Sequence, residues 1–186
     1  MLISEDYKKL NAALHVEQPG FGVMASSLGI PIGRLCQKHG LQSVLDYGCG
    51  KGTLAPVLRS IGLTVNEYDP AIPGKDSEPS VADLVVCIDV MEHVESECLD
   101  DVLMHIATLS TYLTYFMIDN GPAKKILPDG RNAHLTIQGR NWWEERLSEY
   151  FKLAVCAQVN KFETENGDLY RIPNGATIAV GTPKKD

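Results

Sequence analysis

The chain has no C-x-x-C pair, and its five cysteines, Cys36, Cys49, Cys87, Cys98 and Cys156, are odd in number. That argues against a cysteine zinc site and against a disulfide framework, and reads as reduced, mostly buried thiols. No apolar run approaches the roughly 18 residues that span a bilayer. The opening MLISEDYKKL has neither the basic nor the apolar region of a secretion signal, so the expectation is a cytoplasmic protein away from membranes. Long basic tracts are missing as well: Lys8-Lys9, Lys124-Lys125 and Lys184-Lys185 are short, and the formal charge is −7. A polyanion meets net repulsion from such a chain, which disfavours a DNA polymer or folded RNA and favours a small-molecule or nucleotide-sized partner.

Internal repeats and low-complexity linkers are absent too, and 186 residues suffice to bury one core without staples. The reading is one domain, 1–186, with an N-terminal helical extension or lid over 1–40 and an α/β core over 41–186. The pattern predicts helices over 4–15 and 31–38, the second closed by Gly40. Strand 43–47 leads through a glycine loop into helix 53–61, ended by Gly62, and then strand 63–68. The stretch AIPGKDSEPSVA after Asp69 is polar and proline-bearing, so a third strand is shortened or lost. Strand 83–89, DLVVCID, is a continuous apolar run suited to the middle of a parallel sheet. Helix 97–109, capped by Ser96, precedes strand 112–118, and Asn141 with Glu144 forms a capping box for helix 142–150. Strands over 153–162 and 176–182, joined by a segment with Gly167, Pro173 and Gly175, make a closing hairpin. The fold class is α/β, Rossmann-like, mostly parallel with an antiparallel last strand.

What the chain does have is the run VLDYGCGKGTL, Val44 to Leu54. An apolar strand ends on Asp46 and enters a loop with glycine at every second position, Gly48, Gly50 and Gly52, where backbone can close on a ligand that a side chain would block. A dinucleotide fingerprint starting at Gly48 requires glycine at Thr53, which it lacks. The Asp46 carboxylate also suits a cationic ligand better than a pyrophosphate. The next strand ends in Asp69, an acid able to accept both hydroxyls of a ribose. These residues resemble the class I S-adenosylmethionine-dependent methyltransferases: Asp46, Gly48, Gly50 and Gly52 match the first motif, Asp69 the ribose-binding acid. The resemblance implies S-adenosyl-L-methionine as cofactor, held by the loop, Cys49 included, with Asp69 at the ribose and Asp89 bordering the transferring methyl.

The central strand runs into Asp89-Val90-Met91-Glu92-His93. The Asn/Asp-Pro-Pro-Tyr/Phe tetrapeptide of amino-methyltransferases acting on DNA bases is absent there. A helical turn over 89–93 would put Asp89, Glu92 and His93 on one face. Hard oxygens with imidazole suit Mg²⁺, Mn²⁺, Fe²⁺ or Co²⁺ better than structural zinc. The cluster is similar to that of the metal-assisted 2′-O-methyltransferases of small RNAs and of the ubiquinone-pathway O-methyltransferases, with Asp89 where both carry Glu; in the former a later histidine joins, a place for His134. Two other readings stand beside the metal: Asp89 and Glu92 as a capping box, and His93 or His134 as general base.

Asp129, Arg131, Asn132 and His134 are too polar for a core and fall on a loop beyond the fifth strand, where a substrate would lie. Trp142 and Trp143 read as core anchors, Tyr7 and His15 as lid residues. The segment GPAKKILPDGRNAHLTIQGRNWWEERL is similar to small methyltransferase-like proteins of bacteria and their phages, a resemblance covering most of the chain. The combined reading is methyl transfer to a small-molecule or nucleotide-like acceptor, O-methylation first and N-methylation next. A metal-assisted RNA 2′-O-methyltransferase, an NAD-dependent oxidoreductase and an inactive binding module are the alternatives.

Overall fold

A computed structural model of the chain describes residues 1–18, 20, 22, 24–163 and 169–184. Helix α1 (Glu5–Glu17) begins on Ser4, whose Oγ accepts from the Tyr7 amide. A 3₁₀ turn, Met24–Leu28, leads into α2 (Gly29–His39). That helix ends on Gly40 in the left-handed conformation, φ 68°, and Leu41 N–H donates back to Cys36, closing the last turn. The core continues as β1 (Ser43–Tyr47), α3 (Leu54–Ser60), β2 (Thr64–Tyr68), β3 (Ala82–Ile88), α4 (Leu99–Leu109), β4 (Ser110–Asp119), α5 (Arg140–Ser148), β5 (Phe151–Glu163) and β6 (Leu169–Pro183).

The sheet order is β2-β1-β3-β4-β6-β5. The first four strands are parallel, and β6 runs antiparallel to both of its neighbours. Because side chains alternate across a strand, β1 sends Val44 to one face and Leu45 to the other. On the first face Leu28, Ile32, Leu54 and Leu58 pack against the sheet; on the second, Leu103, Ile106, Trp143 and Leu147 do so. Helix α4 shows why: Leu99, Val102, Leu103 and Ile106 recur at helical spacing and are buried, while Asp100 and Asp101 favour its positive N-terminal end. A third cluster joins Tyr7 and Leu14 of α1 to Leu127 and Ala133 of the loop after β4.

No strand forms among residues 69–81, in line with the shortened third strand. Two capping expectations are corrected. A 3₁₀ turn, Ser96–Cys98, precedes α4, and the Ser96 hydroxyl donates to Glu97 instead of capping the helix. Helix α5 starts at Arg140 behind Gly139, and both Asn141 and Glu144 accept from the Arg140 guanidinium, which outcompetes the proposed box. The hairpin is longer than expected. Pro173 and Gly175 lie inside β6, where the register shifts between Val159 and Lys161 accommodate the Gly175 φ of 76°. Gly167 lies outside the described residues.

Candidate active site

The loop after β1 is pinned from below. Gly48 and Cys49 N–H groups donate to the Tyr68 carbonyl at 2.7 and 3.0 Å. Gly48 and Gly50 take φ of 73° and 52°. A Cβ on Gly48 would lie 2.4 Å from Val90 Cγ2, and one on Gly50 would lie 2.8 Å from both Cα and O of Gly22. The close approach of Gly50 to the Gly22 backbone is therefore the one that only glycine permits. Asp69 accepts from Gly50 N at 3.0 Å and from Ala71 N at 2.9 Å, which aims its carboxylate at the loop.

These residues border a narrow cleft that opens to solvent. Gly22, Gly48, Gly50 and Asp69 form one wall, and Asp89, Val90 and His93 another. Helix α1 lies across it. Tyr7, Asn11 and His15, four residues apart, all face the cleft. The segment before α1 is tied down by Glu95, whose carboxylate accepts from Ser4 N and Ser4 Oγ at 2.8 and 2.7 Å.

Of the proposed cofactor residues, Gly48, Gly50, Asp69 and Asp89 line the cleft. Asp46 and Cys49 are buried beneath the loop, and Gly52 packs on Glu67 and Lys75. Burial, with repulsion from Glu67 behind it, lifts the Asp46 carboxyl to about 7. Lys75 Nζ donates to Glu67 at 2.9 Å and to Gly50 O at 3.3 Å, a cation under the loop that composition did not single out.

Asp89 and His93 of the other wall meet His134 behind it, and the ligand atoms of the three lie within 4.8 Å of one another. The two rings meet edge to face, centroids 4.7 Å apart. His93 Nδ1 is 2.8 Å from the Ala133 carbonyl and His134 Nδ1 is 2.6 Å from that of Gly121. A carbonyl only accepts, so each Nδ1 carries the proton and each Nε2 is the ligand atom. Burial depresses the His93 imidazolium, to about 4, and keeps the ring neutral. Asp89 has φ 59°, the one non-glycine described with positive φ.

Glu92 is not brought to this group, which corrects the one-face reading of 89–93. Residues 91–93 form a 3₁₀ turn, and the Glu92 side chain is fully buried, with Oε1 accepting from Asp119 N at 2.5 Å. Its carbonyl takes Leu135 and Thr136 N–H, fastening the loop that carries His134. Asn132 organises the same loop through Ala123 N, Ala123 O and His134 N, and Asp129 pairs with Arg131. These polar residues build the loop, a role invisible without the fold. Trp143 is a buried anchor, with Trp142 packed against the same core. Asn11, Gly22 and Glu95 were missed in the sequence; the four-residue spacing from Tyr7 to His15 was the signal that could have found Asn11.

A mostly parallel sheet with an antiparallel β6, a strand-to-glycine-loop turn and an acid just after β2 define a class I methyltransferase fold. The chain belongs to the methyltransferase-domain family, whose profile matches residues 18–154. No curated protein matches the sequence. Among solved structures, it is similar to the 1,6-didemethyltoxoflavin-N1-methyltransferase of Burkholderia thailandensis with S-adenosylhomocysteine bound, at 13% identity and TM-score 0.66, covering 100% of this chain and 92% of that one. The N-methyltransferase NodS of Bradyrhizobium japonicum, also with S-adenosylhomocysteine, matches at 12% identity and TM-score 0.64 over 98% and 100%. Magnesium protoporphyrin IX methyltransferase of Synechocystis, with the same ligand, matches at 16% identity and TM-score 0.61 over 97% of each. The protein is thus a methyltransferase by family. No helix among the described residues is long and apolar enough to cross a membrane.

Proposed function

We propose that the protein methylates a hydroxyl of a small molecule, with S-adenosylmethionine lying on Gly48 and Gly50 and a divalent ion held by Asp89, His93 and His134. The observation that carries the metal part is the pairing of both Nδ1 atoms with backbone carbonyls. That second shell fixes the ring orientation and tautomer that ligation needs. Two neutral imidazoles and one carboxylate suit a divalent transition ion more than Ca²⁺. Gly48 and Gly50 line the cleft where the cofactor would lie, and the close approach of Val90 and of the Gly22 backbone to them leaves no room for a side chain in this loop.

S-adenosylmethionine supplies an electrophilic methyl, and an ion at this site supplies Lewis acidity that lowers the acceptor's pKa. The chain's own part is alignment and exclusion of water. Gly48 and Gly50 allow close contact with the cofactor, Asp69 is its ribose acid, and α1 with its Tyr7-Asn11-His15 stripe covers the cleft as a lid over residues 1–40. Asp46 acts through the loop it supports. Elemental analysis of protein prepared without chelator tests the ion: near-stoichiometric metal is expected, retained in Glu92→Gln and lost in His134→Ala. Full methyl transfer by metal-free protein would instead support His93 as general base. Calorimetry with S-adenosylhomocysteine and NADH tests the cofactor, and tighter NADH binding would overturn it.

A further inference from the structure

Residues 69–81 hold no strand, yet the first part of this segment is a closed, hydrogen-bonded loop. Ile72 N–H donates to Asp69 O at 3.2 Å, Lys75 N–H to Ile72 O at 3.0 Å, and Asp69 N–H to Lys75 O at 2.9 Å. Gly74, at φ 85°, turns the chain between Ile72 and Lys75. Lys75 is thereby returned to the end of β2, and its side chain reaches under the glycine loop. We infer that Lys75 is a positioning residue for the cofactor: its ammonium fixes the Gly50–Lys51 peptide at the cofactor cleft and offsets the acids gathered beneath it. The inference rests on the methyl-transfer reading above for the identity of the cofactor.

Both backbone polar groups of Gly50 are held by the 69–75 loop. Gly50 N–H donates to Asp69 Oδ2 at 3.0 Å, and its carbonyl accepts from Lys75 Nζ at 3.3 Å. The far end of the same peptide, Lys51 N–H, donates to Gly22 O at 3.0 Å. In a trans peptide the C=O and N–H point opposite ways, so Lys75 and Gly22 grip one plane from two sides. A glycine offers little steric resistance to rotation of that plane, so its orientation depends on such partners. Charge gives a second argument. Asp46 and Glu67 are neighbours in the register of β1 and β2, and Asp69 follows two residues on. Lys75 Nζ meets Glu67 Oε1 at 2.9 Å, while Arg59 takes Oε2 at 3.0 Å. Burial works against the Lys75 charge, but the bond to Glu67 outweighs it and raises its pKa, so the side chain is a cation at neutral pH. Only 24% of that side chain is exposed, so salt screens it less than a surface lysine. The third glycine of the loop follows from the same arrangement: a Cβ on Gly52 would run into Lys75 Nζ and Glu67 Oε1, so glycine there leaves room for the ion pair.

The test compares the full chain with Lys75→Met, which keeps the length and loses the charge, and with Lys75→Cys alkylated by bromoethylamine, which restores a lysine-like ammonium. Cys36, Cys49, Cys87 and Cys98 are buried, and parent protein treated in the same way controls for Cys156. Amide hydrogen exchange of the unliganded protein, followed by NMR, reads the grip on the peptide, and calorimetry with S-adenosylhomocysteine reads its consequence. In Lys75→Met the Lys51 amide should exchange about tenfold faster or more, with β1 and β3 amides unchanged, and S-adenosylhomocysteine should bind about ten to a hundredfold more weakly, the loss of one charge-assisted hydrogen bond. Aminoethylation of Lys75→Cys should bring both quantities back toward the parent. Parental exchange and affinity in Lys75→Met would overturn the inference. A loss that aminoethylation leaves in place would overturn it as well, because Lys75 would then supply packing and not charge. Should Lys75→Met fail to fold, the aminoethylated Lys75→Cys protein compared with the same chain capped by iodoacetamide carries the comparison alone. Failure of S-adenosylhomocysteine to bind the parent would instead strike the methyl-transfer reading, and the exchange rates, measured without ligand, still decide whether Lys75 holds the peptide.

Discussion

Asp46→Asn isolates the cost of placing a carboxyl under the glycine loop. The native state holds the Asp46 proton up to about pH 7, whereas a free aspartate releases it near 3.8. Its folded pKa is raised, so its contribution to stability is fully present below pH 4 and is lost as pH rises through 7. The whole loss amounts to about 4 kcal/mol, and about 3 kcal/mol of it falls between pH 5 and pH 8. Asparagine has no proton to lose and introduces only a constant offset, of about 1–3 kcal/mol if its amide finds no partner. Urea unfolding of parent and variant at pH 5, 6, 7 and 8 should therefore show a difference that moves by about 3 kcal/mol in the variant's favour as pH rises. Other buried acids, Glu92 among them, titrate in both proteins and cancel. Two curves running parallel across this range would refute the argument, because Asp46 would then be ionised in the folded protein as in the unfolded one.

Gly50→Ala forces a Cβ against Gly22 backbone, with a strained φ costing about 1–2 kcal/mol, and should weaken S-adenosylhomocysteine more than tenfold by calorimetry; unaltered affinity would count against the cradle. Ser4→Ala removes both the α1 cap and one bond to Glu95, and should cost about 1 kcal/mol of stability and speed S-adenosylhomocysteine release in stopped flow. Asn11→Leu deletes a buried Oδ1 that has no hydrogen-bond partner, so the unliganded protein should melt higher by the equivalent of about 1–3 kcal/mol. The melting increment given by S-adenosylhomocysteine should shrink in the same variant, and an equal increment would remove Asn11 from the site.

Most of the sheet was legible because its strands carry their own burial pattern. β1 is recovered residue for residue, and the apolar β3 reads as central because both its faces are buried. The ends of helices were harder. At α5 a single arginine captured the residues that would have capped it, a competition that the S/T/N-x-x-E pattern does not record. The second strand of the closing hairpin was expected to begin only after Pro173 and Gly175, which punctuate a sequence yet are absorbed here by a shift of register. Loop polarity misled in a similar way: Asn132 and the Asp129–Arg131 pair serve their own loop before any substrate.

The candidate metal group shows where periodicity stops being a guide. Spacing of three and four residues joins side chains only if the backbone between them is α-helical. At 89–93 it is not: Asp89 sits at φ 59° and a short 3₁₀ turn follows, so Asp89 and His93 converge while Glu92 turns into the core toward Asp119 N. A left-handed aspartate costs of order 1 kcal/mol, and such strain persists only where the surroundings enforce it. Here the enforcing contact is Asp89 N to Met117 O at 2.9 Å, which extends the β3–β4 ladder by one bond before the chain turns. The strain thus follows from ending a central parallel strand on a residue that lines the cofactor cleft and whose carboxylate meets His93 and His134. Glycine would relieve the backbone there, and it would also delete the carboxylate that meets the two histidines.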